Sequence, residues 1–321
     1  MISPAKLNKG DEVRIIAPSR SLKILSDDGV LLAKKRLEEL GLKVTFGKNI
    51  KECDMQKSSP ISQRVEDLHN AFADSNVKGI LTVIGGFNCN ELLPYLDYEL
   101  IKANPKILCG FSDITALATA LTKKCGFITY SGPHFSSFQM NHLQDYQTEF
   151  FKKCLMNEEE YQIQPSEQWS DDLWFLDQEN RHLEPTEWKV YSDGQATGTL
   201  LGGNLCTLNL LQGTPYMPNL ENCILFIEDD ELTIPETFAR DLTSLLQVAG
   251  TIKGLVIGRF QKSSNVTEEQ LQFILDKHPQ LKHIPVLYDL DFGHTQPMMT
   301  LPIGGEISLN TKKMSLKVSK F

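Results

Sequence analysis

The stretch Lys106–Thr115, which reads KILCGFSDIT, carries the signal that decides the fold. Residues 107–109 form a short apolar run, Gly110 ends it, and residues 114–121 have apolar side chains at helical spacing. A buried strand that turns directly into a helix is the repeating unit of a parallel α/β sheet. The turn between them, GFSD, is expected to expose the hydroxyl of Ser112 at the carboxyl edge of that sheet.

The same alternation of strand and helix extends along the chain on both sides of this stretch. The first half is predicted to contain strands at 13–17, 43–46, 79–84 and 127–130 and helices at 31–40 and 60–72. The second half is predicted to contain strands at 223–227, 253–257 and 285–290, helices at 235–248 and 268–277, and a hairpin over 306–319. The pattern therefore predicts an α/β protein with a mostly parallel sheet.

The pattern breaks down between Gln139 and Trp188, where the chain is polar and aromatic. All three tryptophans lie in this region, at positions 169, 174 and 188. We interpret it as a connector with an elaborated loop rather than a regular unit. This predicts an N-terminal α/β domain over 1–140, a connector and substrate loop over 141–190, and a C-terminal α/β domain over 191–321.

Composition excludes several classes of protein. The 321 residues include 32 Lys and Arg and 41 Asp and Glu, a net charge of −9, which argues against binding of a nucleic-acid polymer. The seven cysteines are scattered without a CxxC pair, so a zinc ribbon is not expected. No apolar run is long enough to cross a membrane and no secretory signal is visible, which predicts a cytoplasmic location.

The common cofactor motifs are also missing. There is no GxG dinucleotide fingerprint, no Walker A loop and no HExxH zinc motif. The seven histidines form no compact cluster in the sequence. No metal ion or cofactor is therefore expected.

Four short segments each follow a predicted strand, and three of them carry a reactive side chain. Ser112 lies on a strand-to-helix turn with the logic of a nucleophile elbow, although a helix cap is the commoner role for such a serine. Glu228, in FIEDDE, is placed like the orienting acid of a triad, the alternative being a solvated loop or a helix cap. His294, in DFGHTQP, suits a general base, with His134, His278 and His283 as competitors.

The fourth segment, IGGFN, ends a strand in a glycine pair. A glycine there allows the backbone to approach a ligand closely, so the N–H groups of Gly86 and Asp113 are candidates to bind an oxyanion. The alternative is an ordinary strand-to-helix turn. Taken together, Ser112, Glu228 and His294 follow the Ser…Glu…His order of α/β-hydrolases, and they would meet between the two domains.

Several ordered motifs resemble the S66 serine peptidases, the family of LD-carboxypeptidases and MccF-type microcin C immunity proteins. They are GDEVRIIAPS, IGGFNCNELLPYLD, GFSDITAL, LLGGNL, GTPY, ILFIED and DFGHTQP, and they cover nearly the whole chain. The resemblance implies a Ser112–His294–Glu228 triad, an oxyanion hole from Gly86 and Asp113, and no cofactor or metal. It also implies a Rossmann-like N-terminal domain, a smaller C-terminal α/β domain, and often a homodimer.

Two substrates are compatible with this resemblance. IGGFNCNELLPYLD and WSDDLWFLDQ are more similar to the MccF-like branch, which cleaves the aminoacyl-nucleotide amide of microcin C-type antibiotics. In that case Trp174 or Trp169 would stack on the nucleobase. Packing of the connector against the domains is an equally good role for these tryptophans. Asn204 in LLGGNL is a further substrate-binding candidate. The other branch removes terminal D-alanine from muropeptide tetrapeptides, and a non-enzymatic small-molecule binding protein is the alternative of another class.

Overall fold

The computed structural model describes all residues, 1–321, and contains two large β-sheets flanked by helices. The helices are α1 (Asp27–Glu39), α2 (Ile61–Ala73), α3 (Tyr98–Ala103), α4 (Ile114–Cys125), α5 (Gln144–Leu155), α6 (Leu205–Asn209), α7 (Pro235–Ala249) and α8 (Glu268–Asp276). Short 3₁₀ helices occupy Leu22–Ile24, Cys89–Tyr95, Phe135–Gln139, Lys262–Ser264 and Pro279–His283.

The first sheet has six strands, and five of them are parallel. In spatial order they are β14 (Leu301–Ile303), β5 (Thr129–Ser131), β4 (Ile107–Cys109), β3 (Val77–Thr82), β1 (Glu12–Ile16) and β2 (Lys43–Phe46). The parallel part has the doubly wound order 2-1-3-4-5, in which the direction of winding reverses between the neighbouring parallel strands β1 and β3. The parallel sheet predicted for the first half of the chain is confirmed.

The second sheet has eight strands and a parallel centre. In spatial order they are β6 (Tyr161–Ile163), β16 (Ser315–Lys320), β15 (Glu306–Asn310), β10 (Gln195–Asn204), β11 (Ile224–Glu228), β12 (Gly254–Gly258), β13 (Val286–Leu290) and β9 (Lys189–Ser192). A separate pair is formed by β7 (Gln168–Trp169) and β8 (Glu184–Pro185). The predicted hairpin at the C-terminal end is confirmed as β15 and β16.

The two sheets do not correspond to two continuous segments of the chain. Strand β14, late in the sequence, returns to the first sheet and pairs antiparallel with β5. Strands β6 and β9, which lie in or next to the connector, form the two edges of the second sheet. One cluster of 83 buried apolar residues fills both halves.

The connector contains more regular structure than predicted. Helix α5 lies within it, and its apolar residues Phe150, Phe151, Cys154 and Leu155 are all buried. This spacing places them on one helical face, but the polar residues around them conceal it in the sequence. The expectation that residues 139–188 lack a regular unit was therefore wrong for α5.

Helix α1 begins four residues before its predicted start. Ser26 is its N-cap and accepts a hydrogen bond from the backbone N–H of Gly29 at 3.2 Å. Asp27 and Asp28 in the first turn interact favourably with the positive end of the helix dipole. No helix of the structure combines the length and the apolar character that a membrane crossing requires.

Candidate active site

The carboxyl ends of strands from both sheets surround a cavity of about 350 Å³. Ser112 follows β4 of the first sheet, Glu228 ends β11 of the second, and His294 follows β13. Ser112 and His294 line the cavity, and Glu228 lies behind His294 with only 3% of its surface exposed. The structure therefore brings together three residues that are 116 and 66 positions apart in sequence.

The three side chains form a continuous hydrogen-bonded chain. His294 Nε2 lies 3.0 Å from Ser112 Oγ, and His294 Nδ1 lies 2.7 Å from Glu228 Oε2. This is the geometry in which a base accepts the proton of a hydroxyl while a carboxylate orients the base. The interpretation of Glu228 as part of a solvated loop was wrong, because the residue is buried at the end of a strand.

The backbone at Ser112 has an unusual conformation that exposes its hydroxyl. Its φ of 59° lies in the left-handed region, which a residue with a Cβ atom adopts at an energetic cost. Gly110 makes the turn sterically possible, since a Cβ atom there would lie 2.2 Å from Thr82 Oγ1. The Ser112 hydroxyl contacts His294 rather than the first turn of α4, so the helix-cap interpretation of Ser112 was wrong.

Gly293 gives Glu228 access to the imidazole of His294. Its φ is 98°, and a Cβ atom at this position would lie 2.7 Å from Glu228 Oε2. Any larger residue would push the carboxylate away from the imidazole. The glycine before His294 is therefore required by the pairing of His294 with Glu228.

The pKa of His294 is set by two opposing effects. Burial of the ring lowers it, but the nearby charge and hydrogen bond of Glu228, with Asp230 and Asp229, outweigh this and raise the pKa above its ordinary value. Asp229 is itself buried, and burial together with the Glu228 charge raises its pKa to about 7. The acidic segment that begins at the end of β11 thus favours the protonated form of the His294 imidazole.

His134, the competing base, has a different environment. Its Nδ1 lies 2.7 Å from Thr82 Oγ1, and its ring stacks on Phe111 with centroids 4.3 Å apart. Burial, and to a lesser extent the charge of His294, lower its pKa to about 3. His134 lines the cavity but makes no hydrogen bond to Ser112, and it remains neutral at physiological pH.

The two candidate oxyanion donors lie on adjoining segments. A Cβ atom on Gly85 would lie 3.1 Å from Ser112 Oγ and 3.6 Å from the backbone nitrogen of Asp113. The backbone N–H groups of Gly86 and Asp113 have no protein acceptor. Both N–H groups are therefore free of protein acceptors, and Asp113 directly follows Ser112 in the chain.

The carboxylate of Asp113 has a role that the sequence did not indicate. It is buried and accepts hydrogen bonds from the Ser19 hydroxyl and from the backbone N–H groups of Asn88 and Cys89, at 3.0 and 2.9 Å. These bonds fasten the loop after β3 to the turn that carries Ser112. The position of Asp113 directly after the candidate nucleophile, at a helix start, was the available signal.

The three substrate-binding candidates have different locations. Trp174 lines the cavity. Trp169 lies outside it and packs under the guanidinium of Arg259, 4.7 Å from its ring centroid. Asn204 also lies outside it, buried as the N-cap of α6, where its side chain accepts a hydrogen bond from Thr207 N.

Four charged side chains line the cavity in addition to the histidines. They are Arg20, Asp172, Asp230 and Glu231. The sequence analysis missed Arg20 and Asp172 as individual residues; the position of Arg20 shortly after β1 of a parallel sheet was a usable signal. No group of three or more His, Cys, Asp or Glu side chains is arranged to hold a metal ion.

Two family models match the chain and together span most of it. The LD-carboxypeptidase N-terminal domain matches residues 13–132, and the LD-carboxypeptidase C-terminal domain matches residues 197–309. Both belong to the S66 peptidases. The two matches lie on the segments that carry Ser112 and the Glu228–His294 pair.

Curated relatives are similar over nearly the full length. "Putative carboxypeptidase YocD" of Bacillus subtilis is 51% identical, covering 94% of each chain. "Microcin C7 self-immunity protein MccF" of Escherichia coli is 31% identical, covering 98% of this chain and 95% of the relative. "Probable murein peptide carboxypeptidase" of Bacillus subtilis is 32% identical, covering 96% and 91%.

Solved structures agree with this relationship. An MccF-like protein from Bacillus anthracis str. Ames superposes with a TM-score of 0.98, 50% identity and full coverage of both chains. MccF in complex with glutamyl sulfamoyl guanosine superposes with a TM-score of 0.88 and 30% identity, covering 99% of this chain and 98% of that one. The α/β fold class is confirmed, and the non-enzymatic alternative is set aside because the chain belongs to the S66 family of serine peptidases, the LD-carboxypeptidases and MccF-like proteins.

Proposed function

We propose that this protein is an amide hydrolase in which Ser112 is the nucleophile, His294 the general base and Glu228 the acid that orients it. The observation that carries the proposal is the hydrogen-bonded chain from Ser112 Oγ through His294 to Glu228, at 3.0 and 2.7 Å. The left-handed backbone at Ser112 supports it, because strain of this kind is concentrated at functional residues.

The reaction is an acyl transfer in two steps. Ser112 Oγ attacks the amide carbonyl carbon, its proton passes to His294 Nε2, and Glu228 stabilises the resulting imidazolium. The N–H groups of Gly86 and Asp113 bind the oxygen as it becomes negative. His294 then protonates the leaving nitrogen, and a water molecule activated by the same histidine hydrolyses the acyl-enzyme.

The substrate we favour is the aminoacyl-nucleotide amide of microcin C-type antibiotics, whose cleavage would detoxify them. Trp174 at the cavity offers an aromatic face on which a nucleobase can stack, an interaction worth about 1–3 kcal/mol. The solved MccF complex with glutamyl sulfamoyl guanosine is consistent with this choice. The alternative is removal of terminal D-alanine from muropeptide tetrapeptides, which the murein peptide carboxypeptidase among the relatives supports.

Substitution of the triad tests the mechanism. We expect Ser112→Ala and His294→Ala to abolish turnover while the melting temperature changes by a few degrees at most. His134→Ala, the matched control within the same cavity, should retain turnover because this histidine makes no hydrogen bond to Ser112. Unchanged hydrolysis in Ser112→Ala, or loss of activity in His134→Ala but not in His294→Ala, would refute the assignment.

A direct comparison of substrates tests the choice between the two branches. The enzyme is incubated separately with an aminoacyl-sulfamoyl adenosine and with a muropeptide tetrapeptide, and both reactions are followed by mass spectrometry. Trp174→Ala should reduce kcat/KM for the nucleotide substrate about 10-fold or more, while Trp169→Ala, which removes a tryptophan outside the cavity, should not. An equal effect of Trp174→Ala on both substrates would remove the argument from stacking.

A further inference from the structure

Arg20 lies at the point of the first sheet where ligands of doubly wound folds bind. The chain reverses its direction of winding between β1 and β3, and the crevice at such a point opens at the carboxyl ends of the two strands. Arg20 follows β1, and Gly85 and Gly86 follow β3. All three residues line the cavity that contains Ser112.

Arg20 is the only lysine or arginine that lines this cavity. Its guanidinium forms no ion pair and no hydrogen bond within the protein, and it lies over the ring of Phe87, 5.1 Å from the centroid. Arg181 differs, because its Nε lies 3.6 Å from the carboxylate of Asp172, a residue that lines the cavity. The donors of Arg20 are therefore free to bind a ligand.

The backbone of Arg20 is held firmly against the nucleophile turn. The preceding residue, Ser19, is fully buried and donates its hydroxyl hydrogen bond to Asp113. Arg20 N donates to Gly85 O at 3.4 Å. A Cβ atom on Gly86 would lie 3.0 Å from Arg20 Cγ, so the arginine stem packs directly on the segment of the candidate oxyanion hole.

We propose that Arg20 recognises an anion on the leaving-group side of the scissile amide and so selects the substrate. This inference rests on the proposed function, because it takes Ser112 and Gly86 as the groups that hold the reacting carbonyl. A Cβ atom on Gly85 would lie 3.1 Å from Ser112 Oγ, and one on the next residue, Gly86, would lie 3.0 Å from Arg20 Cγ, so the Arg20 side chain lies on the same wall of the cavity as the nucleophile. Its planar donors fit a group with two or more anionic oxygens.

The two candidate substrates share this chemistry. An acyl sulfamate or phosphoramidate carries its negative charge on or beside the amide nitrogen, and a C-terminal amino acid carries a carboxylate one carbon further on. In both, an anion lies within a few bonds of the carbonyl that Ser112 attacks. A neutral leaving group offers Arg20 no partner, and binding it would leave the cation without compensation.

The test measures binding in the inactive Ser112→Ala background, so that it does not depend on turnover. Isothermal titration compares two matched pairs of ligands. The first is an aminoacyl-sulfamoyl adenosine against the neutral amide of the same amino acid with 5′-amino-5′-deoxyadenosine. The second is a muropeptide tetrapeptide with a free terminal carboxylate against the same tetrapeptide with a terminal carboxamide.

We expect the parent protein to prefer the anionic member of one pair, and Arg20→Gln to reduce that preference about 10- to 100-fold. Arg20→Lys should restore part of it, because the charge returns without the planar donors. Arg240→Gln removes an exposed arginine that does not line the cavity and should leave the preference unchanged. The pair in which the preference appears identifies the source of the anion.

Three results would overturn the proposal. They are the absence of any anion preference in the parent protein, a preference that survives Arg20→Gln, and an equal loss of affinity for the charged and neutral ligands in that variant. Hydrolysis that persists in Ser112→Ala would instead refute the proposed function, and it is measured in a separate experiment. The two outcomes are therefore distinguishable.

Discussion

Residue 112 combines a reactive hydroxyl with a backbone conformation that its side chain disfavours. The left-handed φ of 59° points the hydroxyl at His294, and the first turn of α4 holds it there through the hydrogen bond from Thr115 N to Ser112 O at 2.9 Å. Strain of this kind lowers the stability of the fold, and here it accompanies the orientation of the proposed nucleophile toward His294. Its cost can be measured by removing the Cβ atom.

Two variants that both lack the hydroxyl isolate this strain. We expect Ser112→Gly to be more stable than Ser112→Ala by about 1 kcal/mol in the free energy of unfolding, because glycine adopts a positive φ without the Cβ clash. At Ser308, in strand β15, the order should be reversed, since glycine weakens a regular strand. Urea denaturation of the four variants is the measurement, and a Ser112→Ala variant as stable as Ser112→Gly would contradict strain at this residue.

The protonation of His294 predicts the acid limb of the pH profile. The imidazole must be neutral to accept a proton, and its pKa is raised because the Glu228 and neighbouring aspartate charges outweigh the effect of burial. We therefore expect kcat/KM to rise with pH through a midpoint above 6.5, the ordinary value for histidine. Glu228→Gln removes the largest stabilising charge, so it should move the midpoint to lower pH and also reduce the rate.

His134 provides the control for this profile. Its pKa of about 3 keeps it neutral throughout the measured range, so His134→Ala should leave the midpoint in place. A wild-type midpoint at or below 6.5, or a midpoint that follows residue 134 instead of residue 228, would show that another group titrates.

At the scale of elements, the loop that carries His294 is anchored by a buried carboxylate three residues earlier. Asp291 is fully buried and accepts hydrogen bonds from Arg259 Nη1 at 3.0 Å, from Trp188 Nε1 at 2.8 Å and from Ser166 N at 2.9 Å. These donors come from the region after β12 and from both ends of the loop-rich part of the connector. Trp188 is thus a structural residue, and Asp291 ties the connector to the end of β13.

Removal of this charge should be costly because it leaves the buried guanidinium of Arg259 without its partner. We expect Asp291→Asn to lower the free energy of unfolding by about 3–5 kcal/mol, measured by chemical denaturation. Asp241→Asn breaks a pair with the exposed Arg240 and should cost less than about 1 kcal/mol. Similar small losses in both variants would mean that the Asp291 network does not hold the connector.

At the scale of the whole molecule, the site exists only where the two sheets meet. Strand β10 of the second sheet approaches α4 of the first so closely that a Cβ atom on Gly203 would lie 2.5 Å from Thr115 Oγ1, and Asn204 N donates to that same oxygen at 3.0 Å. Strand β14 then returns to the first sheet. These contacts explain the second glycine of LLGGNL, Gly203, as a close approach between the two halves.

Because the halves share one apolar core, they should unfold together. All three tryptophans lie between positions 169 and 188, so their fluorescence reports on the connector, whereas far-UV circular dichroism reports on both sheets. We expect the two signals to give coincident transitions in urea. A fluorescence change that clearly precedes the loss of ellipticity would show that the connector and the sheets are separate cooperative units.

Local sequence was sufficient for most strands and helices and for the neighbourhood of each site residue. Apolar runs ended by glycine or followed by acids predicted β3, β4, β11 and β13, because buried parallel strands are continuously apolar and their carboxyl ends carry the polar residues. The candidate triad followed from these positions together with the family resemblance. The sequence analysis missed α5 because polar residues surround its apolar face. It placed the start of α1 too late because it did not recognise Ser26 as the N-cap.

The amino-acid sequence by itself determined the α/β class, the order of the elements and which side chains stand at the ends of strands, since these depend on periodicity and on the conformational preferences of neighbouring residues. Only the tertiary structure decided that β14 joins the first sheet, that Trp174 and Arg20 line the cavity whereas Trp169 and Asn204 do not, and that His294 rather than His134 contacts Ser112. These outcomes depend on contacts between residues far apart in the chain. Their distances are set by the packing of two sheets, which no local pattern encodes.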